Sequence, residues 1–306
     1  NSFRLPLLLS DVDMAFSFSL LLGEPQRLTA FRLFALLAVV ISLDAAPTVA
    51  ADMQYPLAVV AGADGTVFVA DRKLPGIWKV TGETAEVYFQ GSKKFRTPLN
   101  AVRCVAIDKD GLLLAGDSAT REVYRFDKAG KPQPLTKGGI GIPMAIAVDG
   151  DGDLFVGDLE TQRIWKVPAA GGEPKEFAVV PAPRGLAFDK QGRLWVVSHG
   201  KNQLIRLGTD GKSEIVAKGR PFRFPHQVVL DDDGTAYVSD GYAKAVWKIA
   251  DGKAPEKLVE GKPLDNPVGI ALRGKDILIA DPRANALFAI DAEGKLSTLL
   301  QSKPAK

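Results

Sequence analysis

The segment Leu154-Phe155-Val156-Gly157-Asp158 decides the fold, because five other segments of the chain are built to the same pattern. They are Val67-Phe68-Val69-Ala70-Asp71, Leu113-Leu114-Ala115-Gly116-Asp117, Leu194-Trp195-Val196-Val197-Ser198, Ala236-Tyr237-Val238-Ser239-Asp240 and Ile277-Leu278-Ile279-Ala280-Asp281. Short apolar runs bounded by turn residues read as strands buried on both faces. Their last residues lie 46, 41, 40, 42 and 41 positions apart. A period of this size marks stacked supersecondary units, none of which can bury its apolar face alone.

Each of the first five runs follows a turn glycine (Gly65, Gly111, Gly152, Gly192, Gly234), placed where a tight hairpin needs positive φ. The sixth copy shortens this turn to Arg273-Gly274-Lys275. Six residues beyond each run comes a third strand, such as Ile77-Trp78-Lys79-Val80, Ile164-Trp165-Lys166-Val167 or Val246-Trp247-Lys248-Ile249. A weaker fourth strand closes each unit, as at Glu176 to Val180 or Leu296 to Leu300. Four antiparallel strands per unit, six units and no helical-period segment predict an all-β fold, a six-bladed β-propeller of four-stranded antiparallel blades. The blades start near 55, 101, 142, 182, 224 and 266, and the domain is expected to span 52–306. Blade six owns all four of its strands, so the pattern leaves open how the ring closes.

Composition sets limits on function. Of 306 residues, 46% are hydrophobic and 25% charged, which excludes a disordered chain and a multi-span membrane protein. Cys104 is the single cysteine and His199 and His226 the only histidines, so neither an intramolecular disulfide nor a Cys/His zinc cage can form. The balance of 39 Lys+Arg against 36 Asp+Glu is too small and too scattered for nucleic acid. Upstream of the repeats, Arg27 and Arg32, the uncharged run Leu33 to Leu43 and the small residues around Ala50 and Ala51 read as a signal peptide cut near Ala51. The apolar run falls short of the roughly 20 residues of a membrane span, so membrane contact is expected only where this segment stays uncleaved. The expected location is outside the cytoplasm: periplasmic, cell-envelope or secreted. Met14 is a candidate start codon, and the mature chain is expected to be a monomer.

The repeats also resemble a known family. Pro183-Arg184-Gly185-Leu186-Ala187-Phe188-Asp189, Pro143-Met144-Ala145-Ile146-Ala147-Val148-Asp149 and Pro267-Val268-Gly269-Ile270-Ala271-Leu272 look like the NHL repeat, with looser matches at Pro56-Leu57 and Pro225-His226 and Val102 in place of the proline in copy two. The resemblance covers about 55–300 and implies an NHL/TolB-like propeller. Such propellers include non-catalytic interaction scaffolds, gluconolactonase-type (senescence-marker-protein-like) metal hydrolases and a zinc-dependent peptidyl-amidating lyase. Phe224-Pro225-His226-Gln227-Val228 and Ser239-Asp240-Gly241-Tyr242 are similar to two segments of that lyase, which would make His226 a zinc ligand and Tyr242 a catalytic phenol. The lyase uses three ligating histidines, and this chain has two. Where gluconolactonases would place a Pro-Asn-Gly metal-binding turn, Pro183-Arg184-Gly185 presents an arginine, which opposes a cation.

Topology points to a different set of residues. In a propeller the first strand of each blade lines the central channel, and the residue after each repeat proline or its equivalent stands at the channel mouth: Leu57, Arg103, Met144, Arg184, His226 and Val268. With two arginines and an imidazole among six, this ring would suit a small anionic ligand, a sugar or an acidic peptide. His199, where blade four departs from the Asp rule, joins His226 on the same face as a candidate metal ligand or catalytic residue, together with Tyr242. The repeated aspartates Asp71, Asp117, Asp158, Asp240 and Asp281 are read instead as turn acceptors. Asp149-Gly150-Asp151-Gly152-Asp153 with Glu160 mimics a calcium loop, but Leu154 stands where that loop needs glycine. Trp78, Trp165 and Trp247 are expected to pack between blades. No cofactor is assigned, zinc or calcium being the alternatives to test. The reading is an exported binding scaffold that uses its channel-mouth face. The alternative is a metal-dependent lactonase, hydrolase or lyase using His199 and His226.

Overall fold

The computed structural model describes residues 53–302 apart from 93 and 95, and the expected signal segment lies outside the described residues. Six sheets each hold four antiparallel strands in sequence order, and the described residues contain no helix. The second strands are Val67–Asp71, Leu113–Asp117, Leu154–Asp158, Leu194–Ser198, Ala236–Asp240 and Asp276–Asp281. The hairpin glycines adopt the expected left-handed backbone, Gly152 at φ 90° and Gly234 at φ 81°.

Six separate apolar clusters replace a single core, one between each pair of neighbouring blades. Leu186, Leu194 and Val196 of blade four pack on Ala145, Phe155 and Ile164 of blade three. Val59, Val67, Val69 and Trp78 of blade one pack on Ala271, Leu278 and Leu287 of blade six. That last cluster joins the ring: among the described residues no strand passes from one terminus into the other's blade, and side chains of the first and last blades pack together. Each blade covers its neighbour's apolar face, the physical requirement that makes a repeat of this kind stable only as a closed set.

The strand-terminal aspartates do more than cap a turn. Asp158 is fully buried and accepts hydrogen bonds from the amides of Gly141 and Ile142, which lead into the first strand of its blade, and from Glu160, which leads out of the second. Thr161 Oγ1 and the indole N–H of Trp165 complete the set. Asp71 with Trp78 and Asp240 with Trp247 repeat the indole bond. The tryptophans therefore pack between blades, as expected, and also use their polar edge to hold the carboxylate. Burial acts to raise the Asp158 pKa, but the amide, hydroxyl and indole donors outweigh it and the net shift is downward.

Candidate functional site

A repeated irregularity aims the ring residues. The first strand of each of blades one to five skips a register position just after its opening proline or valine. Leu57, Arg103, Met144 and Arg184 are the skipped residues, and in blade five the skip takes in both His226 and Gln227. A bulged residue leaves the ladder and turns its side chain off the pleat. All six ring positions line one cavity of about 150 Å³, Val268 of blade six without a register skip, together with Tyr55, Gln227 and Asn266.

Gln227 forms the floor. Its Nε2 donates to the carbonyls of Met144 (3.1 Å) and Arg184 (3.3 Å), so one side chain reaches from blade five to blades three and four. It also lines the central cavity of about 320 Å³ behind the mouth, and thus divides the two spaces. Gly185 makes the crossing tight: a Cβ there would stand 2.7 Å from the Gln227 Cα and 2.8 Å from the His226 carbonyl. The sequence reading missed Gln227. The signal was present, since two positions beyond the first-strand proline or valine the other blades carry Ala58, Cys104, Ala145, Gly185 and Gly269, none with a long polar side chain.

The electrostatics of the mouth are one-sided. Burial holds the Arg184 guanidinium below its usual pKa, and Arg103 pushes it further in the same direction. Its Nε is buried without a hydrogen-bond partner. Arg103 is lowered by burial and by Arg72, with Asp117 partly offsetting, and its Nε donates to Ser118 Oγ at 3.0 Å. His226 Nε2 is also buried and unpartnered, and burial, then Arg184 and His199, lowers its pKa to about 3. The imidazole is therefore neutral at physiological pH. Arg184 sits over the Phe224 ring at 5.7 Å, with His199 and His226 edge-on to the same ring at 4.4 and 5.0 Å and Tyr242 stacked on it at 4.6 Å.

The structure brings His199 and His226 edge-on to the same Phe224 ring but does not give them a metal-site geometry. His199 Nε2 is engaged with the Pro225 carbonyl at 2.7 Å, and Arg184 acts on both imidazoles with a charge that opposes a cation. Among the described residues no group of three or more His, Cys, Asp or Glu is arranged to hold a metal. The donor set at the mouth does not fit zinc. At the calcium-like turn, Asp149 accepts from the amides of Asp151 and Asp153, Lys166 Nζ lies 3.0 Å from Asp153, and Glu160 pairs with Arg121, so these carboxylates serve the hairpin and the surface.

No family model matches the chain. Peptidyl-glycine alpha-amidating monooxygenase B of Xenopus laevis is 32% identical over 87 residues, a stretch covering 28% of this chain and 10% of that protein. Among solved structures, a streptogramin B lyase superposes with a TM-score of 0.64 at 18% identity, over 82% of this chain and 85% of that one. A gluconolactonase from Xanthomonas campestris gives 0.65 at 16% identity, over 81% and 87%. At these identities the structural likeness establishes the fold and leaves the activity to the site itself. The chain is a six-bladed β-propeller with structural neighbours among the gluconolactonase-like and streptogramin B lyase propellers, and with a short sequence match to an amidating monooxygenase.

Proposed function

We propose that the channel mouth binds a small carboxylate-bearing anion, with Arg184 and Arg103 as its counter-charges and His226 Nε2 as a neutral hydrogen-bond partner. One observation carries this reading: Arg184 is half-buried beside another arginine, with an unpartnered buried Nε. Taking a charge out of water without a partner is costly, and an anion entering the mouth recovers that cost through charge-assisted hydrogen bonds. The cavity of about 150 Å³ is smaller than a drug-sized site, so it admits a small anion or the end of a longer one.

A lactonase, hydrolase or lyase remains the second reading. It draws on the structural neighbours and on His226 standing uncharged at the cavity, and in that case the anion would be the substrate. The export signal read in the sequence puts the ligand outside the cytoplasm, which N-terminal sequencing of the mature chain tests. The function itself is tested by calorimetric titration of purified protein with acetate, benzoate, sulfate and phosphate. Carboxylates are expected to bind, and Arg184→Gln to weaken them at least about tenfold, as loss of a charged hydrogen bond should. Absence of binding by all four at millimolar concentration would overturn the reading.

A further inference from the structure

We propose that Tyr242 is a ring-stacking subsite at the rim of this mouth, so that the ligand is a carboxylate carrying a planar aromatic group. The inference rests on the anion reading above and extends it to ligand class.

Four large hydrophobic side chains are exposed among the described residues. Val87, Val179 and Ile215 lie on the fourth strands Thr84–Gln90, Lys175–Val179 and Ser213–Ala217, at the blade peripheries. Tyr242, 57% exposed, is the aromatic one; it lies outside the lining of the mouth cavity and is joined to the lining residues Arg184 and His226 through Phe224. Its ring lies nearly parallel to Phe224, with 22° between planes. Phe224 in turn contacts Arg184, so the exposed ring is the outermost member of a stack that begins at the proposed counter-charge.

The stack is ordered before any ligand arrives. Asp240 accepts the Phe224 amide at 2.8 Å, and the Gly241 amide donates to the Phe224 carbonyl at 3.1 Å, tying the two ring-bearing segments together. A Cβ at position 241 would meet Asn266 Oδ1 at 2.4 Å and His226 Nε2 at 3.0 Å, so the glycine lets the chain ahead of Tyr242 pass close to both side chains. A ring already fixed on one face loses little further freedom when a second ring settles on the other, and offset stacking adds to the area it covers.

The test compares 3-phenylpropionate with 3-cyclohexylpropionate by titration calorimetry, with acetate as reference, on wild type and Tyr242→Leu. Wild type is expected to prefer the phenyl ligand about three- to tenfold. Tyr242→Leu should abolish that preference, and Tyr242→Phe should keep it. Equal affinity for the two ring ligands in wild type, or a preference that survives Tyr242→Leu, would overturn the proposal. A neutral control, 3-phenylpropionamide followed through the Tyr242 ring resonances, separates the two readings. Shifts with the amide and no carboxylate binding would leave the subsite standing without the anion site; no shifts and no binding would remove both.

Discussion

Arg103 and Arg184 occupy the same position in blades two and four, yet only the first has a carboxylate in its blade to answer it. Asp117 ends the second strand of blade two and raises the Arg103 pKa against the effect of burial. In blade four the equivalent residue is Ser198, paired across the hairpin with Pro183 immediately before Arg184. Ser198 does part of the clamp's work: Oγ donates to the Pro181 carbonyl at 2.6 Å and accepts the Gly200 amide at 2.9 Å. Arg220 holds the same loop from outside through the His199 and Gly200 carbonyls. The exchange keeps the loop in place and removes the one negative charge that the repeat would have set beside Arg184. The residues common to the blades build the ring, and the departure from them leaves Arg184 without a carboxylate at the proposed site.

This comparison can be broken at either end. The largest effect is expected where the repeat is strongest: Asp158→Ala strands buried amides on both connections and the Trp165 indole, and should cost at least about 3 kcal/mol in urea unfolding. Next in size, Arg184→Gln should weaken carboxylate binding by about 2 kcal/mol, several times more than Arg103→Gln, because Asp117 already compensates part of the Arg103 charge. The same Arg184→Gln protein should be no less stable than wild type, a split that a purely structural arginine would not show. Restoring the repeat with Ser198→Asp should reduce carboxylate affinity about tenfold, by supplying Arg184 with an internal counter-charge. Ser198→Ala should cost only about 1 kcal/mol of stability, well below Asp158→Ala.

The smallest effect at neutral pH, and the one that sharpens the picture of the mouth, concerns His226. Its pKa in the folded chain is about 3 against an ordinary 6.5, so the unfolded chain takes up a proton first as the pH falls. The stability contributed by the neutral imidazole is complete above pH 6.5 and declines from there toward pH 3. His226→Gln should flatten that part of the stability profile and leave the midpoint at pH 7.5 nearly unchanged, as followed by thermal unfolding across the pH series. A bound carboxylate, opposing Arg184, should raise the His226 pKa, which the imidazole NMR shift reports directly.

Much of the fold was legible because its signals are local. The unbroken apolar run from Leu154 up to Asp158, the glycine ahead of it and the six returns of the pattern fix strand, turn and period through backbone sterics and local apolar patterning alone. The ring of Leu57, Arg103, Met144, Arg184, His226 and Val268 followed from topology, since equal positions in equal blades must share one end of the channel. Other features depend on groups far apart in sequence. Gln227 stands out from the small residues at its position in the other blades, but the carbonyls it reaches lie 83 and 43 residues away, so its place as the floor of the mouth comes from the closed ring. The unanswered charge on Arg184, the unpartnered His226 nitrogen and the stacking of Tyr242 on Phe224 arise only once six blades close and water is excluded between them. Sequence by itself determined the repeating unit and the number of its copies, because backbone preference and apolar periodicity act over a few residues. Tertiary structure decided which polar groups lost their solvent and what they faced, because desolvation and Coulomb interaction depend on distances that only the closed ring defines.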